Sequence, residues 1–253
     1  MTMRRERNVI LALLLVLAAA SWAILVWQSA TMDNMATGLT MGMGAALFLA
    51  IWVVMMVAMM FPTAAPMILM FARVQRDKRQ SGRAFVPTWV FVSAYLLIWT
   101  LFGVLAFVGA VWAERLAYQV PWVMANAARI GGSVLVLAGL YQLSPLKRSC
   151  LAKCRTPLDF ILSSWRDGYM GSFRMGLEHG IYCLGCCWLL FVIFFPLGMM
   201  NVAAMAVVTI LIFAEKSFPM GQRIAQLAAL LLIAYGVLVV VVPGTLPTMR
   251  APM

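Results

Sequence analysis

The chain has 253 residues, of which 64% are apolar, and it carries 19 Lys and Arg against 8 Asp and Glu. So little charge could not cover a soluble surface, and one signal peptide would not explain several apolar runs, so the composition argues against a soluble, secreted or disordered chain. The net charge of +11 does not indicate a nucleic-acid partner, because the basic residues lie in short loops and form no single face.

Seven apolar segments are long enough, or nearly so, to cross about 30 Å of hydrocarbon as helices. The sixth segment is the shortest, because a Glu-Lys pair follows it closely. We predict an all-α, polytopic membrane helical bundle of about seven transmembrane helices that forms a single integral membrane domain over residues 1–253. The segments lie at 8–28, 43–72, 87–113, 124–143, 171–197, 200–215 and 223–242.

The distribution of Lys and Arg predicts the orientation of the bundle, because cytoplasmic loops of membrane proteins are enriched in these residues. With a cytoplasmic N-terminus, 16 of the 19 basic residues fall on the cytoplasmic side, chiefly in the loops 73–86 and 144–170. Seven spans then leave the C-terminus on the periplasmic side. The three basic residues on that side are Arg115, Arg129 and Arg250.

Methionine is frequent in the first external loop, residues 29–43, and in the second span. Ten of the 21 methionines fall between Met32 and Met70. Methionine is a common filler of apolar cores, but external thioethers also suit weak capture of Cu(I). The loop methionines are Met32, Met35, Met41 and Met43.

The second span places thioethers at helical spacing, since Met55 pairs with Met59 and Met56 with Met60. Two prolines, Pro62 and Pro66, interrupt the same helix. Each proline frees a carbonyl one turn back, which within lipid must be satisfied by protein or water. The pattern fits an ordinary kinked span or a Met-lined helix bent around a site.

The fifth span carries a stripe of soft metal ligands. At 100° per residue, four of these side chains fall within about 80° of the helix surface, with Cys187 at the edge. Thiolates and thioethers favour Cu(I), and the absence of a carboxylate cage argues against magnesium and calcium. Zinc would leave the methionines unexplained. The four residues in the stripe are Met175, His179, Cys183 and Cys186.

Depth within the membrane suggests that the second and fifth spans share a site. At about 1.5 Å per residue, Cys186 lies about 18 Å from Arg174, and Met59 lies about 21 Å from Arg73. If the two helices are neighbours, soft ligands line a path from mid-membrane toward the cytosol. Glu178 is four residues after Arg174, so a local ion pair is its expected role.

A basic cytoplasmic loop contains Cys150 and Cys154. If this loop is helical, both thiols lie on one face, and neighbouring Lys and Arg are expected to lower the pKa of each thiol. A standing disulfide is not expected on the cytosolic side, which leaves metal transfer or redox exchange.

Four blocks of the sequence together resemble a bacterial family of predicted metal-binding integral membrane proteins, for which a copper-chaperone role has been proposed. The resemblance spans about residues 45–240. It implies metal binding, with copper as the metal, in a bacterial inner membrane, and it supports Cys150, Cys154, His179, Cys183, Cys186 and Cys187 as site residues. The blocks are Trp52 to Pro62, Tyr141 to Cys154, Gly176 to Trp188, and Glu215-Lys216.

We therefore predict a non-enzymatic Cu(I)-binding membrane protein that transports the ion or hands it to a soluble partner. Two alternatives stay open: a membrane thiol-disulfide oxidoreductase using Cys183 and Cys186, and an accessory subunit of a larger membrane complex. No phosphate-binding Gly-x4-Gly-Lys-Ser/Thr motif occurs, so this chain is not expected to hydrolyse ATP. The predicted ligands from the second span are Met55, Met56, Met59 and Met60.

Overall fold

A computed structural model describes residues 3–32 and 38–247, and this part of the chain is helical and contains no strand. A 3-10 turn, Pro243–Thr245, follows the last helix. The helices are α1 (Met3–Met32), α2 (Ala45–Gln80), α3 (Thr88–Gln119), α4 (Pro121–Ala125), α5 (Ala127–Gln142), α6 (Pro145–Arg155), α7 (Pro157–Ser164), α8 (Gly168–Val192), α9 (Phe194–Leu197), α10 (Val202–Ser217) and α11 (Gly221–Val241).

Five stretches of the described chain are long and apolar enough to cross a membrane. The other two predicted spans correspond to α5 and α10, which have 16 residues each. A helix of that length extends about 24 Å, which is less than the usual hydrocarbon thickness. The predicted all-α fold is confirmed, but helix length supports five crossings and not seven. The five stretches are Arg4–Thr31, Ala45–Gln80, Thr88–Gln119, Gly168–Leu197 and Gly221–Val241.

Helices α2 and α8 run antiparallel and contact each other through side chains near both ends. The rings of Trp52 and Phe191 are 6.3 Å apart at one end. At the other end Gln75 Nε2 donates to Ser172 Oγ at 3.3 Å. Because both helices rise by about 1.5 Å per residue, these two contacts place Met59 near the level of Cys186. Helix α3 packs against both α2 and α8.

Helix α2 continues through Pro62 and Pro66, so the prolines remove hydrogen bonds without ending the helix. The carbonyl of Ala58 lies one turn before Pro62 and lacks its usual helical donor. Trp22 Nε1 of α1 donates to this carbonyl oxygen at 3.2 Å. The expectation that protein satisfies the freed carbonyl is therefore confirmed at Pro62.

Glycines bring two pairs of helices into close contact. A Cβ added at Gly176 of α8 would collide with the Phe91 carbonyl oxygen of α3. A Cβ on Gly132 of α5 would lie 2.8 Å from the carbonyl oxygen of Gly236 in α11. Small residues are the usual means by which membrane helices approach each other.

Candidate metal centre

Four cysteine side chains come together where α6 packs against α8, three of them buried and one, Cys154, half-buried. Cys183, Cys186 and Cys187 come from α8 and are each at most 2% exposed. The Cys186 and Cys187 sulfurs are 3.5 Å apart, and Cys154 of α6 is within hydrogen-bonding reach of both Cys183 and Cys186. All four thiols are free. We call these four residues the cysteine cluster.

Two further side chains contact Cys183 from other helices. Lys216 Nζ of α10 donates to Cys183 Sγ at 3.0 Å. The Tyr95 hydroxyl of α3 lies 3.2 Å from the same sulfur. An ammonium group this close to a buried sulfur stabilises the thiolate over the thiol. Cys183 is therefore suited to bind a soft cation.

The imidazole of His179 lies one helical turn before Cys183. It stacks with Phe91 and Tyr95 at centroid distances of 5.8 and 5.4 Å, and Phe160 meets it edge-on. His179 is 2% exposed, and neither ring nitrogen has a hydrogen-bond partner among the described residues. Buried polar atoms are rarely left unpaired, so these nitrogens are available to a ligand that enters the site.

Helix α6 confirms that the Cys150 and Cys154 segment is helical. Both residues face α8, because Cys154 joins the cysteine cluster and Cys150 Sγ lies 2.7 Å from the position a Cβ would take at Gly185. The predicted separate cytoplasmic pair is therefore part of the same set of thiols as the fifth-span stripe.

The expectation of acidic thiols on this helix is wrong. Burial raises the pKa of the Cys150 thiol. Hydrogen bonds to Cys183 and Cys186, together with burial, raise the pKa of Cys154 well above its usual range. Solvated Lys and Arg on α6 do not offset these effects, because the thiols point inward toward other sulfurs.

The predicted methionines of α2 are buried, each at most 2% exposed, but they do not all lie at one place. Met55 lines a small cavity with Met41, Met199 and Met200. Met59 lies at the level of Cys186, as the two contacts between α2 and α8 require. The remaining predicted donors on these helices, Met56, Met60 and Met175, are also fully buried.

A buried polar network beside the cluster was not predicted. Lys147 Nζ donates to Glu215 Oε2 at 2.6 Å and to the side chain of Gln142. Gln142 Nε2 donates to Glu215 Oε1 at 3.0 Å. The only signal in the sequence is that Glu215 and Lys216 are charged residues at the end of an apolar run. The two side chains separate, Glu215 to this network and Lys216 to Cys183.

The expected ion pair of Glu178 is confirmed, since Arg174 Nε lies 3.6 Å from Glu178 Oε1, and Arg166 is a second partner at 3.7 Å. Of the external-loop methionines, Met35 lies outside the described residues, as does the side chain of Met32. Within the described part of the chain, no three His, Cys, Asp or Glu side chains form a preassembled metal site. The cysteine cluster is therefore a set of soft donors with an unpaired imidazole one turn away.

Comparison with known proteins gives one match. The model of a family described as PpoB2, copper chaperone, matches residues 49–239, which include the cysteine cluster, His179 and Lys216. No curated protein and no solved structure match the chain.

Proposed function

The chain belongs to the PpoB2 copper chaperone family, and from this premise we propose that it binds Cu(I) inside a membrane and passes the ion to another protein or across the bilayer. The observation that carries the proposal is the cysteine cluster, in which three buried thiols of α8 and the half-buried Cys154 of α6 come together beside the ammonium group of Lys216. A chaperone role is non-catalytic and needs a site that holds and releases its cargo.

The charge balance of the cluster suits a monovalent soft cation. Two thiolates around one Cu(I) ion carry a single excess negative charge, and an unpaired charge in the interior is costly. The Lys216 ammonium, 3.0 Å from Cys183 Sγ, supplies the opposite charge. Hard divalent cations prefer carboxylate oxygens, and the one carboxylate buried among the described residues, Glu215, is already paired with Lys147.

The neighbouring donors offer further positions for the same cargo. His179 has two free ring nitrogens one turn from Cys183, and Met175 is fully buried one turn beyond His179. Met56, Met59 and Met60 lie on the facing helix near the level of Cys186. We propose that Cu(I) exchanges among these thiolate, imidazole and thioether donors without being released into water.

The proposed location is a bacterial inner membrane, with seven crossings and a cytoplasmic N-terminus. Many large apolar side chains are exposed on the outer surface of the helices, as contact with lipid requires. Ion pairs join the basic end of α2 to the start of α1 and to the residue before α8, which supports a single cytoplasmic side. A soluble copper donor or acceptor would meet the protein there.

A thiol-disulfide oxidoreductase remains the second candidate, because a lysine-stabilised sulfur next to other thiols is suited to exchange. Its difficulty is access. Cys183 and Cys186 are at most 2% exposed, so a partner's disulfide could reach neither sulfur without opening the bundle. A metal ion, by contrast, needs only a narrow path.

The test is elemental analysis with X-ray absorption spectroscopy on the reduced, full-length protein purified in detergent. We expect about one copper per chain with a sulfur-dominated first shell, and loss of that copper in the Cys183→Ser, Cys186→Ser double variant. A matched control changes two side chains that hydrogen-bond within their own helices, Thr100→Ala and Thr209→Ala, and should retain copper.

Absence of metal from the reduced wild-type protein would contradict the proposal, as would copper in the double variant that keeps the first coordination shell of the wild-type protein. A covalently trapped mixed disulfide with a partner, in protein that binds no copper, would favour the oxidoreductase. Full biological activity with Cys183, Cys186 and Cys187 all replaced by Ser would favour an accessory structural subunit.

A further inference from the structure

A small cavity of about 10 Å³ lies between the start of α2, the turn that precedes it and the turn that follows α9. Four of its lining side chains are methionines, contributed by these three segments: Met41, Met55, Met199 and Met200. Trp52 also lines it. The cavity has room for about one atom or water molecule. It is distinct from the cysteine cluster, because no cysteine lines it.

The position of Met41 is fixed by a specific anchor. Met41 has a φ of 55°, which is unusual for a residue with a side chain. The preceding residue, Thr40, donates its backbone N–H to Glu114 Oε1 of α3 at 2.7 Å, and its hydroxyl reaches the same carboxylate at 3.1 Å. These contacts hold the turn against α3 and keep Met41 92% buried. A strained backbone that the surrounding structure holds in place is a common feature of ligand sites.

The chemistry of the lining selects one class of ligand. Thioethers are neutral and soft, so they bind Cu(I) without losing a proton and without adding charge. The lining offers no carboxylate or imidazole to a harder cation. The Trp52 indole adds the aromatic partner that cations prefer.

The cavity also lies within one helical turn of the donors that face the cysteine cluster. Met55 is one helical turn before Met59, which lies near the level of Cys186, so the two thioethers are about 6 Å apart along α2. Met199 and Met200 follow the end of the cysteine-bearing segment. Resting on the proposed function, we infer that Met41, Met55, Met199 and Met200 form a second, all-thioether Cu(I) site, from which the ion enters the bundle toward the cysteine cluster.

The test uses Ag(I), a soft monovalent ion without redox chemistry, and full-length protein carrying ¹³C-methyl methionine. In the wild-type protein, the first equivalent should be taken by the thiols, and the second should shift the methyl signals of the four cavity methionines. Those signals are assigned by single Met→Leu variants. A protein with all five cysteines changed to Ser should show the same shifts at the first equivalent.

The decisive variant is the triple change Met41→Leu, Met199→Leu, Met200→Leu. In the cysteine-free protein it should weaken Ag(I) binding at least tenfold, whereas Met67→Leu and Met205→Leu, two buried methionines away from the cavity, should leave it unchanged. Zn²⁺ should produce no shift. Cavity methyl signals that stay fixed at the second equivalent, after the wild-type thiols have bound the first, would overturn this site and leave the proposed function intact. Failure of the thiols to bind would contradict the proposed function, whatever the methionines do.

Discussion

The ammonium group of Lys216, a half-buried residue, is 3.0 Å from the sulfur of Cys183, which is fully buried. A hydrogen bond to a charged partner is worth about 1.5–3 kcal/mol. Lys216→Met should therefore weaken Cu(I) binding at least tenfold, measured by competition with a chromophoric Cu(I) chelator. Lys216→Arg keeps the charge and should recover part of the affinity. Lys153→Met, a surface change on α6, is the matched control, and an equal loss in both variants would contradict a specific role for Lys216.

The thiol of Cys150 provides a test of pH dependence. Burial disfavours its charged form and raises its pKa, so the reactive thiolate appears only at higher pH than in a free cysteine, whose pKa is about 8.5. We expect the rate of iodoacetamide alkylation of Cys150, followed by mass spectrometry in a Cys154→Ser background, to rise later with pH than the rate for N-acetylcysteine. Half-maximal alkylation below pH 8 would instead support the acidic thiol that the neighbouring Lys and Arg suggest.

The sequence predicts which side chains of α8 could bind metal better than it predicts which residues of other helices contact them. The stripe of His179, Cys183 and Cys186 follows from helical periodicity within one segment, and periodicity needs no tertiary information. The contacts of Cys183 with Tyr95 and Lys216 join residues 88 and 33 positions apart. Such pairings depend on which helices pack together, and periodicity within one segment does not predict that packing.

At the scale of elements, α6 and α10 are joined by the buried pair of Lys147 and Glu215, which are 1% and 2% exposed. Removing one partner leaves an uncompensated charge in the interior, which costs about 3–5 kcal/mol. Lys147→Met and Glu215→Leu should each destabilise the protein by about that amount. The double variant should be closer to the wild type, because neither charge then remains buried.

The measurement is thermal or denaturant unfolding in detergent, analysed as a double-mutant cycle. If the double variant loses as much unfolding free energy as the two single variants together, then the two charges do not stabilise each other. The ion pair also affects the site, since it holds α6, which carries Cys150 and Cys154, against α10, which carries Lys216. We therefore expect each single variant to weaken Cu(I) binding as well as stability.

Apolar runs in the sequence locate every long helix, because the bilayer demands about twenty apolar residues from a spanning helix. They do not locate the break at Asn126, which separates the short helix α4 from α5. Nor do they predict that α6 and α7 form helices beside the bundle, since these have mixed polarity and are held by tertiary contacts. Helices α5 and α10 have 16 residues each, so their lengths do not establish whether they cross the membrane. That question depends on how the whole molecule is arranged.

Contacts between distant parts of the chain bring the basic ends of the helices together. Arg79 Nη2 lies 3.1 Å from Glu6 Oε2, which joins the end of α2 to the start of α1. Lys78 pairs with Asp167, just before α8. Arginines from α1 and α2 also line a cavity of about 380 Å³ at this end. The start of α1, the end of α2 and the start of α8 therefore lie on one side of the bundle.

The arrangements with five and with seven crossings differ in the side of the membrane on which residues 144–170 lie. If only the five longest helices cross, α8 begins on the side opposite to Lys78, which the pairing of Lys78 with Asp167 opposes. If α5 and α10 cross as well, with local thinning of the bilayer to match their length, α8 begins on the same side. The two counts put Asp159, an exposed residue of α7, on opposite sides of the membrane.

A membrane-impermeant maleimide, applied to spheroplasts that express a protein without native cysteines, distinguishes the two arrangements. With seven crossings and the proposed cytoplasmic N-terminus, Asp159→Cys should be protected until the membrane is permeabilised, as should Arg83→Cys, which lies on the same side as the N-terminus in either arrangement. Tyr118→Cys is 80% exposed at the other end of the bundle and should react at once in both arrangements. If Asp159→Cys reacts as fast as Tyr118→Cys, then α5 and α10 do not cross, and the thiols of α6 lie on the external side, where they would take copper in and not deliver it.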